Sequence, residues 1–136
     1  MKVAAEDADY VNLYLTSPKE FRRLRELGCE YCESLGRGGD ELGFTWHGTL
    51  LITKDEKAAR IALEKKKKES RNPNIVKMSF DEYRDTAVIG TTDDCLHKLQ
   101  EFKDAGASYF IPTIRQVDEP ALLETIRHDL VRPLKK

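Results

Sequence analysis

The chain has 136 residues, 40% of them hydrophobic and 35% charged, and its 23 basic and 24 acidic side chains leave a formal net charge of −1. That is the size of a single domain spanning residues 1–136 with one core, and the even charge removes the electrostatic footprint of a nucleic-acid or acidic-membrane binder. No apolar run approaches the roughly 18 residues that a membrane span requires.

The N-terminus, MKVAAEDADYVNLYL, lacks the cationic flank and continuous apolar stretch of a signal peptide. A cytoplasmic protein with reduced thiols is therefore expected. The surplus of Lys, Arg and Glu over Asn and Gln points towards a thermophilic source. Residues 10–15, YVNLYL, are rich in strand formers and read as a parallel strand. Ser17-Pro18-Lys19-Glu20 combines a capping box with proline at the first helical position. Phe21, Leu24, Gly28, Tyr31 or Cys32, and Leu35 then recur at helical spacing, which predicts a helix to about residue 35. Gly36 to Asp40 is a loop on glycine and charge.

Over residues 42–52, Phe44, Trp46, Leu50 and Ile52 alternate with Thr45, His47, Thr49 and Leu51, the pattern of a strand with one strongly apolar face. Thr53-Lys54-Asp55-Glu56 reads as a second capping box, opening a helix through Ala58, Ala59, Ile61, Ala62 and Leu63. That helix should end before Asn72-Pro73, because the residue preceding a proline is pushed out of the helical region. Ser79-Phe80-Asp81-Glu82 opens a third helix. In VIGTTDDCLHKLQEFKDAGASYFI, Thr91 or Thr92 caps a helix carrying Leu96, Leu99 and Phe102, Gly106 ends it, and Tyr109-Phe110-Ile111 reads as a buried strand. A last helix starts at Asp118-Glu119-Pro120, carries Leu122, Leu123, Ile126, Leu130 and Val131, and stops near Pro133. The expected order is β-α-β-α-α-α-β-α, an α/β chain whose three parallel strands are each followed by a helix.

Three stretches resemble the C-terminal part of luciferase-like monooxygenases. ADYVNLYLTSPKEFRRLRELGCEYCESLGR is similar to that family's ADG-type strand and the helix ending in a C-E-x-x-GR-like turn. GTLLITKDEKAARIAL is similar to its strand leading into an acid-opened helix with an Ala-Arg pair. VIGTTDDCLHKLQEFKDAGASYFI is similar to its G-T-P-D-E-V helix and final barrel strand, with Thr92 where proline is commonest. The resemblance implies a partial TIM-type barrel, the last three strands of a flavin- or deazaflavin-dependent (β/α)8 oxidoreductase or monooxygenase. A full barrel needs eight units and roughly 250 residues. In the family the earlier strands supply most contacts to the cofactor, so FMN or the deazaflavin coenzyme is implied for the complete barrel. The isolated chain is expected to bind neither unless a separate N-terminal barrel half completes it. The other reading is a non-catalytic α/β module that buries its open faces as a homo-oligomer.

Among residues with chemistry, His47 is a weak catalytic candidate. If Phe44 and Trp46 pack under the helices, His47 faces the barrel interior, although mid-strand rather than at the strand end where barrel sites form. His97 and His128 read as exposed helix residues. At the strand ends stand Thr16 and Ser17, Thr53 and Lys54, and Pro112 to Arg115. Of these, Thr113 and Arg115 are the cofactor-binding candidates, a hydroxyl donor beside a guanidinium suited to a phosphate or carboxylate. Ser17 and Thr53 are equally helix caps. Cys29 and Cys32 lie three turns into a helix, away from the helix N-terminus that activates a thiol, and no four-ligand zinc set surrounds them. Lys65 to Lys68, bracketed by Glu64 and Glu69, read as a solvated helix face. GRGG at 36–39 lacks the Lys-Ser/Thr of a phosphate loop and stands between helix and strand in the wrong order.

Overall fold

A computed structural model of the chain describes residues 1–114 and 120–135. Strand β2 (Gly43–Ile52) runs through both compact units into which the chain divides, one formed by Met1–Gly48 with Glu101–Pro112, the other by Thr49–Gln100 with Thr113–Lys136.

In the first unit, helix α1 (Lys2–Asp7) precedes strand β1 (Tyr10–Tyr14), helix α2 (Pro18–Ser34) and a 3-10 turn (Gly39–Glu41). β1 lies parallel to β2, with Val11 opposite Phe44, Leu13 opposite Trp46 and Tyr14 opposite His47. Parallel partners share a face, so Leu13, Phe44 and Trp46 form one apolar surface and all three are buried. α2 starts as expected: the Ser17 hydroxyl accepts from the Glu20 N–H at 3.2 Å, and Pro18 occupies the first turn. It buries Phe21, Gly28 and Cys32. Gly28 lets the helix approach β2 closely, because a Cβ there would fall 2.5 Å from the Phe44 ring. Trp46 packs on Phe102 at 5.3 Å and Phe110 at 6.1 Å, and Phe102 meets Phe21 edge-on at 5.9 Å. Removing each of these side chains from water contributes about 1.5–3 kcal/mol.

α1 was not expected from the sequence, and the loop residue Arg37 explains how so short a helix is held. Its guanidinium donates to the Ala5 carbonyl at 3.0 Å, the Ala8 carbonyl at 2.7 Å and the Glu41 carbonyl at 3.3 Å. Helix-end carbonyls have no intrahelical partner, so one planar side chain closes α1 and anchors the GRGG loop.

Strand β4 (Tyr109–Thr113) also pairs with β2, and the Ser108 N–H donates to the Phe44 carbonyl at 2.8 Å. The expected burial of Tyr109-Phe110-Ile111 is corrected. Only Phe110 turns towards Trp46, while Tyr109 is 62% and Ile111 46% exposed. A strand alternates its side chains, and a half-covered sheet buries every second one.

The second unit pairs the end of β2 with strand β3 (Val88–Gly90), Leu50 opposite Val88 and Leu51 opposite Ile89. β3 is a fourth, three-residue strand beyond the three that were expected, hidden in sequence by its shortness. Helices α3 (Glu56–Glu69), α4 (Pro73–Lys77) and α5 (Phe80–Thr86) fill the connection between them. Ala59, Leu63, Tyr83, Ala87 and Ile89 form the core here, with Leu51, Met78 and Phe80 packed against it. α3 is capped by Asp55, whose carboxylate accepts from the Ala58 N–H at 2.8 Å. Thr53, expected as the cap, instead donates its hydroxyl to the Asp55 carbonyl. Helix α6 (Thr92–Asp104) is opened by Thr91 and ended by Gly106 at φ +99°, a left-handed conformation that glycine adopts freely.

The C-terminal helix is interrupted. α7 (Pro120–Thr125) gives way to a π turn over Ile126–Val131 and a last α-turn, α8 (Arg132–Leu134). Pro133 has no N–H to donate four residues back, and the Arg132 N–H bonds the Arg127 carbonyl, five residues back. The proline thus loosens the turn before it rather than ending the helix. No helix among the described residues is long and apolar enough to cross a membrane.

Candidate functional site

The second unit holds a cavity of about 210 Å³ at the C-terminal end of β2. Barrel sites form at that end of the strands. Leu50, Leu51, Ala62, Leu63 and Ile89 give it apolar walls, and Thr49, Lys65, Lys66, Glu69, Tyr83 and Thr113 give it polar ones.

Three of the polar groups form a closed cluster. Lys66 Nζ donates to the Tyr83 phenol oxygen at 2.6 Å and also to Thr49 Oγ1, and the Tyr83 O–H donates to Thr49 Oγ1 at 2.9 Å. The ammonium lies 5.1 Å from the centre of the Tyr83 ring. Tyr83 is only 1% exposed, so its hydroxyl must be satisfied inside the protein, and Lys66 and Thr49 do so. The reading of Lys65 to Lys68 as a uniformly solvated face is therefore corrected for Lys66. Ala59, Leu63 and Lys66 follow one another at i, i+4 and i+7, which places Lys66 on the apolar stripe of α3. A lysine so placed can lay its methylenes along apolar surface and keep its charge at the polar end. That spacing was the available signal in the sequence.

Of the expected site residues, Thr113 lines the cavity. Arg115 lies outside the described residues. His47 belongs to the first unit, half-buried and packed against Tyr14 with ring centres 5.1 Å apart. Phe44 and Trp46 do pack under helices there, so His47 stands on the opposite face of β2. His97 and His128 are exposed. Thr91, expected as a helix cap at the start of α6, has its N–H at 2.9 Å and its hydroxyl at 2.8 Å from the Asp94 carboxylate. These bonds hold the Asp94 carboxyl below its ordinary pKa, and the helix start is answered by its own side chain.

The cysteines are packing residues. Cys32 is fully buried and Cys29 Sγ approaches the Gly39 carbonyl at 3.2 Å. Burial pushes the Cys95 thiol up to about 12, with the Asp94 charge adding to the effect. Among the described residues no three His, Cys, Asp or Glu side chains come together to hold a metal.

No protein-family model matches the sequence, and no curated protein does. Solved structures do match. The coenzyme F420-dependent tetrahydromethanopterin reductase of Methanopyrus kandleri matches 96% of this chain and 47% of its own, with a TM-score of 0.73 at 18% identity. The long-chain alkane monooxygenase LadA matches 98% of this chain and 38% of its own (TM-score 0.61, 16% identity). Riboflavin lyase RcaE, solved with modified FMN and riboflavin, matches 98% and 40% (TM-score 0.68, 10% identity). The chain thus spans less than half the length of each. At these identities the likeness is one of architecture: this chain has the fold of part of the TIM-type barrel found in luciferase-like flavin and F420 enzymes.

Proposed function

We propose that the chain is one portion of a luciferase-like oxidoreductase or monooxygenase that uses FMN or the deazaflavin coenzyme F420, and that it is inactive by itself. The observation that carries this reading is the match of 96% of the chain to an F420-dependent reductase at a TM-score of 0.73. The residues present do not fit the cofactor unaided. A cavity of about 210 Å³ is below the ~300–1,000 Å³ that drug-sized ligands occupy, and an isoalloxazine ring with its side chain is of that class. A barrel site draws on loops after several different strands, so the remaining wall must come from further polypeptide, a separate N-terminal barrel half. In the completed barrel, Thr113 and Arg115 would hold a cofactor phosphate or a substrate carboxylate.

The test is native mass spectrometry of the purified chain, mixed with FMN and then with F420. The expected spectrum carries no cofactor adduct. An adduct on the isolated chain would overturn its dependence on a completing partner. In the reconstituted barrel, Arg115→Ala should weaken cofactor or substrate binding at least tenfold, and unchanged affinity would remove Arg115 from the site.

A second reading, a self-associating module without catalysis, has one feature in its favour. In the first unit Tyr10 is 56% and Tyr109 62% exposed, and their rings meet edge-on at 6.1 Å. With Ile111 beside Tyr109 on β4, they present apolar surface that association would cover. A discrete cofactor-free oligomer in the same spectra would favour it.

A further inference from the structure

The geometry points to the Lys66–Tyr83–Thr49 cavity as a binding site for a small aliphatic carboxylate, a role that stands whether or not the chain takes part in flavin chemistry. Thr49 Oγ1 accepts from both Lys66 and Tyr83. With both lone pairs so occupied, the Thr49 hydroxyl can offer a ligand only its hydrogen. The Lys66 ammonium stands beside it, so this end of the cavity presents a donor and a positive charge. A ligand seated here must therefore supply an acceptor, and an anionic one is favoured. Among the described lining residues, Lys65 and Lys66 outnumber the carboxylate of Glu69.

The rest of the wall selects against a bare inorganic anion. Leu50, Leu51, Ala62, Leu63 and Ile89 offer no hydrogen bond from their side chains, so a phosphate or sulfate would lose most of its hydration there without replacement. An alkyl chain gains from the same surface. The cavity volume of about 210 Å³ limits the ligand to a few carbon atoms beyond the carboxylate, fewer than the ~300–1,000 Å³ pockets of larger ligands accept. The cluster is also preorganised. Tyr83 is fixed in the core and holds both Lys66 and Thr49, so little side-chain ordering remains to oppose binding.

Titration of the ¹⁵N-labelled full chain with sodium hexanoate, hexan-1-ol and inorganic phosphate, read by amide chemical shifts, tests this. Saturable shifts with hexanoate should centre on Thr49, Ala62, Leu63 and Ile89. Hexan-1-ol should bind at least tenfold more weakly, and phosphate should leave those amides unmoved. Lys66→Met should weaken hexanoate at least tenfold, and Thr49→Val severalfold, with the fold of each variant verified by far-UV circular dichroism. The proposal is overturned if hexanoate produces no saturable shift at these amides, if phosphate binds as well as hexanoate, or if both folded variants keep the parent affinity.

Discussion

Trp46 carries its indole N–H into the first unit's core, where it finds no acceptor among the described residues. A buried donor left unpaired costs about 1–3 kcal/mol, which offsets part of what the ring contributes. Trp46→Ala should therefore lower stability by about 3–5 kcal/mol, whereas Trp46→Phe should lower it far less, because the orphaned donor leaves with the indole. Urea unfolding followed by circular dichroism measures both, since the chain's single tryptophan is the residue replaced. Arg37 behaves in the opposite way: its hydrogen bonds reach the backbone carbonyls of Ala5, Ala8 and Glu41, and its Nε also lies 3.5 Å from the Glu41 carboxylate. Arg37→Ala should cost about 1.5–3 kcal/mol and lower the hydrogen-exchange protection of α1 in particular. Cys95 has its pKa raised from 9.0 to about 12 by burial. The folded chain then keeps this proton where the unfolded chain has lost it, so stability falls as pH rises from about 9 to about 12. Native Cys95 should resist a thiol reagent at pH 8 while Cys29 reacts, and modification of Cys95 should follow the rate of unfolding. None of these three roles was legible in the sequence, because each depends on what lies opposite the side chain.

At the scale of the element, much was legible, and capping explains why. Ser17-Pro18, Ser79 with Glu82, and Thr91 with Asp94 satisfy helix-start N–H groups over three or four residues, a distance that a sequence displays directly. Thr91→Ala should cost about 1 kcal/mol, measurable by urea titration. Two of these carboxylates carry a pH dependence. The Ser79 backbone and hydroxyl hold Glu82 below its ordinary pKa, and Thr91 does the same for Asp94, first through its hydroxyl and then its N–H. Groups lowered in this way stabilise the fold above their unfolded pKa values of 4.5 and 3.8, and that contribution is lost as pH falls through the lower folded values. Thr91→Ala should flatten the acid limb of the stability profile as well as lower it. Elements set by longer-range pairing escaped the sequence. β3 is a strand only because Leu50, Leu51 and Ile52 lie alongside it, and α1 is closed by a loop thirty residues away that reaches back while Ala5 is buried. The cavity escaped for a similar reason, since Thr49, Lys66 and Tyr83 sit seventeen residues apart in sequence on a strand and two helices.

For the molecule as a whole, the α/β class was legible because helix returns between apolar strands call for a parallel sheet, and the partial-barrel architecture was legible only through the resemblance of three stretches to luciferase-like monooxygenases. What covers the exposed face of β4 was not, since a strand's alternation shows that one face is apolar without showing whether anything lies over it. The tyrosines there give the self-associating reading a specific expectation. On that reading, Tyr10→Lys with Tyr109→Lys should reduce self-association by tenfold or more in sedimentation velocity, and an unchanged sedimentation coefficient distribution would remove the first unit's aromatic pair as an interface. The threading of the chain has a consequence of its own. It passes from the first unit to the second at Gly48, returns at Glu101 and leaves again after Pro112, and the first of these passages falls inside a strand. A fragment ending at Gly48 lacks Phe102 and Phe110, the rings against which Trp46 packs, and it should remain unfolded. Recombination therefore has no single breakpoint at which it can lift either unit out intact. In gene duplication, fusion or splitting, the two must be inherited together, and a seam that preserves both has to lie outside residues 1–136.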